Sequence, residues 1–464
     1  MSYETAVARM YTLGHELAHM PSQKFDLAHM RILLAAMGHP ERRFPSVLIA
    51  GTNGKGSTAA TLASILTASG LRTGLYTSPH LVRINERIRI NGAEIADDDF
   101  ALLHELVDKT AERLVEEGDL PWHPSFFEML TAIAFECFAQ NKIEMAVLEV
   151  GMGGRLDATN VVEPRLSVIT DISLDHQKFL GDTVSEIARE KAGIIRRDGV
   201  VVTLPQQPQA NDVIGNTILD LSARAVSAVP FVPPVSPGSS GYLAHADKLS
   251  TTEGTEITEK GKSCAPVSRY PIQVMGKQIL VETPLVGRHQ LRNIALSVAA
   301  AEELAQQGFP ISAETIERGI RETHWPGRFQ VVKAGVHTLE YVFDVAHNPA
   351  GAWALRSTLS ACYDGRPLTF IFGAMRDKAI GEMAEILFPV AEKIILTRAD
   401  NPRSATVTEI REAAVRTTAE IEDAADVPSA LERAKVLAGG QGVIVITGSI
   451  YIVGEAMRAL GMRV

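Results

Sequence analysis

Short apolar runs recur along the first half of the chain, each followed by a longer stretch with helical periodicity. "SVLIA", "LRTGLYT", "EMAVLEV" and "LSVIT" place apolar residues close together, as strands buried on both faces require. A sheet made of such strands needs helices on both sides, and the strand–helix–strand order supplies them. The pattern predicts an α/β fold around a mostly parallel sheet. At 464 residues the chain outgrows a single core, which predicts more than one domain. From about Gln206 to Pro271 the periodicity decays. "FVPPVSPGSSGY" and "STTEGTEITEKGK" predict an irregular excursion there with some short strands. Periodicity returns at "NIALSVAAAEELAQQG", a helix closed by glycine, and breaks again at Pro326 and Gly327. Beyond that break, "LEYVFDVAHN", "PLTFIFGAM", "EKIILTRA" and "GVIVITGS" predict four strands of a second, smaller α/β domain.

Charge and cysteine usage narrow the function. A net charge of −10 gives no global basic field for nucleic acid or an anionic membrane. Cys137, Cys264 and Cys362 are far apart and odd in number, which predicts a reducing compartment and no disulfide framework. The opening "MSYETAVARMYTLGHELAHM" has acidic residues and no apolar h-region, unlike a secretory signal. No apolar run reaches membrane-spanning length. The expectation is a cytoplasmic protein with no membrane partner.

The most informative stretch is "VLIAGTNGKGSTAATLASIL". An apolar strand enters Gly51, Thr52, Asn53, Gly54, Lys55, Gly56 and Ser57, and a helix is expected from Ser57. The three glycines allow backbone N–H groups to turn inward around phosphate, and the helix directs its positive end at the same place. Yet the usual pattern G-x-x-x-x-G-K-[ST] fails: Ile49 stands where its first glycine belongs, and Gly56 follows the lysine. The hydroxyl that would bind magnesium is therefore displaced. Ser78, just past the strand ending at Thr77, is one source of a replacement; an ordinary turn serine is the other reading. Glu149 ends an apolar strand, where its charge must be paired or bound to a metal. The following "GMGGRLDATN" predicts close approach of backbone to a ligand. His176 lies in a polar turn beyond another strand, as a metal-binding or catalytic imidazole would. Lys191, in "SEIAREKAGII", reads from spacing alone as a solvated surface lysine.

"GTNGKGS", "TSPHLVRINERI", "LEVGMGGRLDATN", "LDHQKFLG", "REKAGI", "WPGRFQ", "DVAHNP" and "TGSIYIVGEA" together resemble, in order, the folylpolyglutamate synthase and dihydrofolate synthase family of the Mur ligase superfamily. The resemblance spans nearly the whole chain except residues 206–271. It implies a large P-loop ATPase domain, about 1–325, and a smaller Rossmann-like C-terminal domain, about 328–464. It implies an amide ligase, usually monomeric, that uses ATP to join L-glutamate to dihydropteroate or a folate. By the same resemblance, Ser78, Glu149 and His176 hold two magnesium sites together with Lys191, carbamylated by CO₂. Lys55, His176 and Lys191 carry the chemistry. Asn293, Arg328, Asp344 and His347 join the glycine loop in binding ATP. The pterin segments implied are Lys24, Phe25 and Asp26; Ser125, Phe126 and Phe127; and Leu156, Asp157 and Ala158. At least one of the two phenylalanines is expected in the core. The sequence departs from the family at Gln177, where a threonine is expected after the histidine. A peptidoglycan-type Mur ligase is the alternative within the class, and a non-catalytic nucleotide-regulated module the alternative outside it.

Overall fold

A computed structural model describes residues 1–14, 26–234, 243–244, 267–334, 339–414, 419–439 and 442–462. The chain divides into two compact units. The first comprises Met1–Val232, Gln273–Ile279 and Arg292–Glu322; the second comprises Pro233–Ile272, Leu280–Leu291 and Thr323–Val464.

The first unit is built on an eight-stranded sheet. Its strands are β1 (Ser46–Ala50), β2 (Thr73–Tyr76), β3 (Ile88–Ile90), β4 (Ala93–Glu94), β5 (Met145–Glu149), β6 (Leu166–Ile169), β7 (Val200–Thr203) and β8 (Arg224–Ser227). They lie in the order β4-β3-β2-β5-β1-β6-β7-β8. From β2 to β8 all neighbours are parallel, and β3 and β4 add an antiparallel edge. Every residue of β1, β5 and β6 is buried, which is why Val, Ile, Leu and Ala dominate these strands. The helix after β1, Lys55–Ala68, begins two residues earlier than its sequence suggests. It packs against the helix Ala313–Arg321, where a Cβ on Gly319 would lie 2.4 Å from the Ile65 Cα. Ser64 Oγ donates to the Gly319 carbonyl at 2.7 Å across that contact.

The excursion begins later than the composition suggests. Residues Pro208–Asp220 form a helix, with Pro208 in its first turn, and β8 extends the sheet. Proline at a helix start is pre-set for helical φ, and Pro208 opens this helix within the stretch whose periodicity decays. Beyond this, β9 (Leu243–Ala244), β10 (Val267–Val274) and β11 (Lys277–Thr283) form a small sheet in the order β11-β10-β9. Met275 and Gly276, between β10 and β11, both have positive φ, as a tight hairpin turn requires.

The second unit holds β12 (Gln330–Ala334), β13 (Leu339–Phe343), β14 (Leu368–Phe372), β15 (Lys393–Leu396), β16 (Glu420–Asp423) and β17 (Val443–Thr447). The order is β12-β13-β17-β14-β15-β16. Only β12 is antiparallel to its neighbour. The four expected strands are β13, β14, β15 and β17; the edge strands β12 and β16 are additional. Phe370, Phe372, Leu355 and Val445 are among the buried residues of this core. Among the described residues no helix is long and apolar enough to cross a membrane.

Candidate active site

The glycine loop leaves the carboxyl end of β1, in the middle of the parallel sheet. Two of its glycines are required by contact as well as by conformation. A Cβ on Gly51 would meet Thr170 Oγ1 at 1.8 Å, and one on Gly54, with φ +89°, would meet Asn293 Oδ1 at 2.1 Å. Because the helix starts at Lys55, its early backbone N–H groups, lacking intrahelical acceptors, belong to Lys55, Gly56 and Ser57. Thr52 and Asn53 are engaged differently. Their backbone N–H groups donate to the Asp171 carbonyl at 2.8 and 3.1 Å. Thr52 Oγ1 donates to the Ser173 carbonyl and accepts from the Ser173 N–H. Asn53 Nδ2 donates to Ser173 Oγ at 3.2 Å.

Two lysines converge on one carbonyl. Lys55 Nζ donates to the Gly51 oxygen at 3.2 Å and to that of Thr52 at 3.4 Å. Lys191 Nζ donates to the same Gly51 oxygen at 2.8 Å. Lys191 is only 4% exposed, so the surface position suggested by its spacing is overturned. Burial first, and the charge of Lys55 second, push its pKa down to about 7, against the opposing pull of Asp175 and Asp157. Burial acts in this direction because it disfavours the ammonium form.

The loop "GMGGRLDATN" holds the Lys191 helix, Val184–Ala192. A Cβ on Gly154 would sit 2.7 Å from the Glu190 carbonyl, and one on Gly193 would sit 2.4 Å from Arg155 Cβ. Arg155 donates through its backbone N–H to the Glu190 carbonyl at 2.8 Å and pairs with the Glu190 carboxylate. The close approach expected of these glycines is thus, in part, an approach to this helix. Asp157 is buried and accepts from the backbone of Met152 and from the backbone and hydroxyl of Thr159. Burial raises its pKa.

Adjacent parallel strands β2 and β5 bring Ser78 and Glu149 together at their carboxyl ends, where the Ser78 N–H donates to Glu149 Oε2 at 3.3 Å. Glu149 is 4% exposed. His176 sits in the left-handed region at the start of the short helix Gln177–Leu180, and its backbone N–H donates to Asp175 Oδ1. Among the described residues no group of three or more His, Cys, Asp and Glu side chains is arranged to hold a metal. The implied ligand set contains only two such side chains, Glu149 and His176; its other members are a hydroxyl and a lysine.

The implied pterin residues carry local structural duties. Lys24 and Phe25 lie outside the described residues. Asp26 caps the helix Leu27–Ala36, and Ser125 forms a reciprocal cap with Glu128 on the helix Phe126–Gln140. Phe126 is core, as expected of at least one of the pair: it is buried and stacks on Tyr11 at 5.8 Å, with Arg87 over its ring. Phe127 is half-buried against Tyr76 and beneath Gly151. Leu156 is half-buried and Ala158 buried.

In the second unit, "WPGRFQ" and "DVAHNP" are stitched together. Asp344 follows β13 and accepts from the Phe329 and Ala346 N–H groups, both at 2.9 Å. Burial pushes its pKa up to about 6, opposed by Arg328 and these N–H groups. His347 Nδ1 donates to the Val345 carbonyl at 2.9 Å; because a carbonyl only accepts, Nδ1 carries a proton. Arg328 Nη1 donates to the Gly327 carbonyl. Asn348, missed in the sequence, caps the helix Pro349–Cys362.

Two family models match the chain: the Mur ligase middle domain over residues 127–301 and the Mur ligase glutamate ligase domain over residues 327–450. The dihydrofolate synthase/folylpolyglutamate synthase of Bacillus subtilis is 34% identical over 94% of this chain and 95% of its own length. The chain belongs to the dihydrofolate synthase/folylpolyglutamate synthase family. The folylpolyglutamate synthase of Lacticaseibacillus casei is 36% identical over 77% of this chain and 78% of that protein. Among solved structures, Mycobacterium tuberculosis folylpolyglutamate synthase complexed with ADP and AMPPCP matches with a TM-score of 0.81 and 31% identity, covering 99% of both chains. An Escherichia coli FolC structure in complex with DHPP and ADP matches with a TM-score of 0.78 and 26% identity, covering 99% of this chain and 98% of that one. In this member of the folylpolyglutamate synthase family, Lys55 and Lys191 meet at one carbonyl, and Ser78 meets Glu149.

Proposed function

We propose that this protein is an ATP-dependent ligase that adds L-glutamate to dihydropteroate, to the glutamyl chain of folates, or to both. The observation that carries the reading is the meeting of Lys55 and buried Lys191 at the Gly51 carbonyl, in a chain whose relatives are named for this activity. The acceptor carboxylate attacks the γ-phosphate of ATP, giving an acyl phosphate and ADP. The α-amine of glutamate then attacks the activated carbonyl, and phosphate leaves through a tetrahedral intermediate. Both partners of the first step are anionic, so charge neutralisation dominates the barrier. Lys55 and the N–H groups of Gly54, Lys55, Gly56 and Ser57 supply it from the loop, while Thr52 and Asn53 anchor the loop through Asp171. Asn293, Arg328, Asp344 and His347 complete the nucleotide contacts in this reading. The pterin ring is assigned to the segments around Asp26, Phe127 and Leu156.

Ser78, Glu149, His176 and carbamylated Lys191 would hold magnesium at two sites. The donor chemistry fits: a hydroxyl, a carboxylate and a carbamate are hard oxygen ligands. When bound, the metal adds positive charge at the phosphate oxygens. The displaced loop hydroxyl is replaced, in this reading, by Ser78 from the next strand. Ser78→Ala and Glu149→Gln are therefore expected to raise the magnesium concentration needed for half-maximal turnover, or to abolish turnover, without greatly weakening acceptor binding. Normal magnesium titrations in both variants would remove Ser78 and Glu149 from the metal site.

The same reading makes the protein cytoplasmic, supported by its separated cysteines, and a monomer, supported by the family resemblance alone. Mass analysis of products formed from dihydropteroate and from tetrahydrofolate, each with ATP and L-glutamate, tests the substrate class. A glutamylated product from either acceptor supports the proposal, and none from both contradicts it.

A further inference from the structure

The phosphate loop is anchored through Asp171, and Asp171 is itself held by side chains that none of the site assignments above includes. The loop pairs with the segment after β6 through an isolated antiparallel bridge between Asn53 and Asp171, and the Asp171 carbonyl takes the N–H groups of both Thr52 and Asn53. That one carbonyl therefore fixes the backbone of this half of the loop, alongside the Ser173 contacts to the Thr52 and Asn53 side chains. Asp171 is fixed in turn by two side chains from distant parts of the first unit. Its carboxylate receives Arg292 in a forked pair: Nε lies 3.1 Å from both oxygens and Nη2 2.5 Å from Oδ1. Arg292 Nη2 also donates to the Pro205 carbonyl at 3.0 Å. The carboxamide of Gln206 grips the backbone on either side of Asp171, donating to the Thr170 carbonyl at 3.2 Å and accepting from the Ile172 N–H at 3.0 Å. Arg292 immediately precedes Asn293, whose side chain lies against Gly54.

We propose that Asp171, clamped by Arg292 and Gln206, is a positioning residue for nucleotide binding that holds the Thr52–Asn53 half of the loop so that its other half can meet phosphate. This rests on the glycine loop being the ATP site. Forked arginine–carboxylate pairs fix orientation as well as charge, and here the fixed object is a backbone carbonyl rather than a substrate. Arg292 and Asp171 keep 32% and 35% of their side chains exposed, so replacing either leaves the hydrophobic core intact. Their effect should therefore fall on the loop and not on the fold.

The test is direct ATP binding by the full-length protein, with no acceptor or glutamate present, alongside amide hydrogen exchange at Thr52 and Asn53. Arg292→Ala and Asp171→Asn should each weaken ATP binding about tenfold, the loss of one charge-assisted contact. Both should speed exchange at the two loop amides while leaving the melting temperature near that of wild type. The double variant should be no weaker than the worse single one, because both act through one contact. Arg292→Lys, which keeps charge but loses the fork, should fall between wild type and Arg292→Ala. Unchanged ATP affinity and loop exchange in both single variants would overturn the proposal while leaving the ATP site in place. A wild-type protein that binds no ATP would overturn both readings together.

Discussion

Lys191→Ala is expected to remove glutamate ligation, and a short carboxylic acid in the buffer should restore part of it. Lys191 is 4% exposed, and burial and Lys55 together hold its pKa at about 7, so a large fraction of the amine is neutral at neutral pH. Only a neutral amine adds CO₂; the nitrogen then loses a proton and becomes a carbamate. An ordinary lysine, near pKa 10.4, would present almost no neutral amine under those conditions. Turnover by wild type should fall in CO₂-depleted buffer and recover with bicarbonate, whereas Lys191→Ala should be indifferent to both. Wild-type turnover unaffected by rigorous CO₂ removal would count against the carbamate.

The same shift gives a stability signature. The folded pKa lies below the unfolded value, so between about pH 7 and 10.5 the unfolded chain binds more protons at this site. Stability must therefore rise with pH across that window. Below about pH 7 the cost of burying the ammonium is fully present, and above the unfolded pKa it is absent. In CO₂-depleted urea titrations, Lys191→Met should be more stable than wild type near pH 7, and the gap should close as pH rises toward 10. A gap independent of pH would mean that Lys191 is not held with a lowered pKa.

Lys55→Ala should lower turnover by about 10²–10³, the usual cost of removing one preorganised charge from a transition state. Among the described residues its hydrogen bonds go to loop carbonyls, so the fold should survive. The loss should persist at saturating ATP, because the lysine opposes charge that develops during phosphoryl transfer and is not merely a binding contact. A variant with near wild-type turnover at saturating ATP would show that this lysine is not part of the phosphate site.

The central strands were legible because parallel strands with both faces covered favour apolar runs, and "SVLIA" and "MAVLE" are apolar except at one terminal residue each, Ser46 and Glu149. Edge strands lack that constraint. β8 is largely exposed and β4 is two residues long, so neither leaves an apolar run to read. The helix Pro208–Asp220 buries only Ala210 and Ile214, too few to leave a clear periodic stripe. Lys191 is a different case, because a signal existed. Ile187, Ala188, Lys191 and Ala192 are the buried residues of their helix, a stripe at helical spacing, and the lysine stands on it among flanking charges. The pairing of Asp171 with Arg292, 121 residues apart in sequence, has no local signature. Only the fold, by laying the helix Arg288–Gln306 beside the loop after β6, brings the two together.

The most direct test of the account is ADP release by the purified full-length protein, measured with each component omitted in turn. ATP turnover should require both a pteroate or folate acceptor and L-glutamate, with one glutamyl product formed per ADP. Sustained ADP release that is indifferent to acceptor and glutamate, or ATP binding without any ligated product across dihydropteroate and tetrahydrofolate, would contradict it.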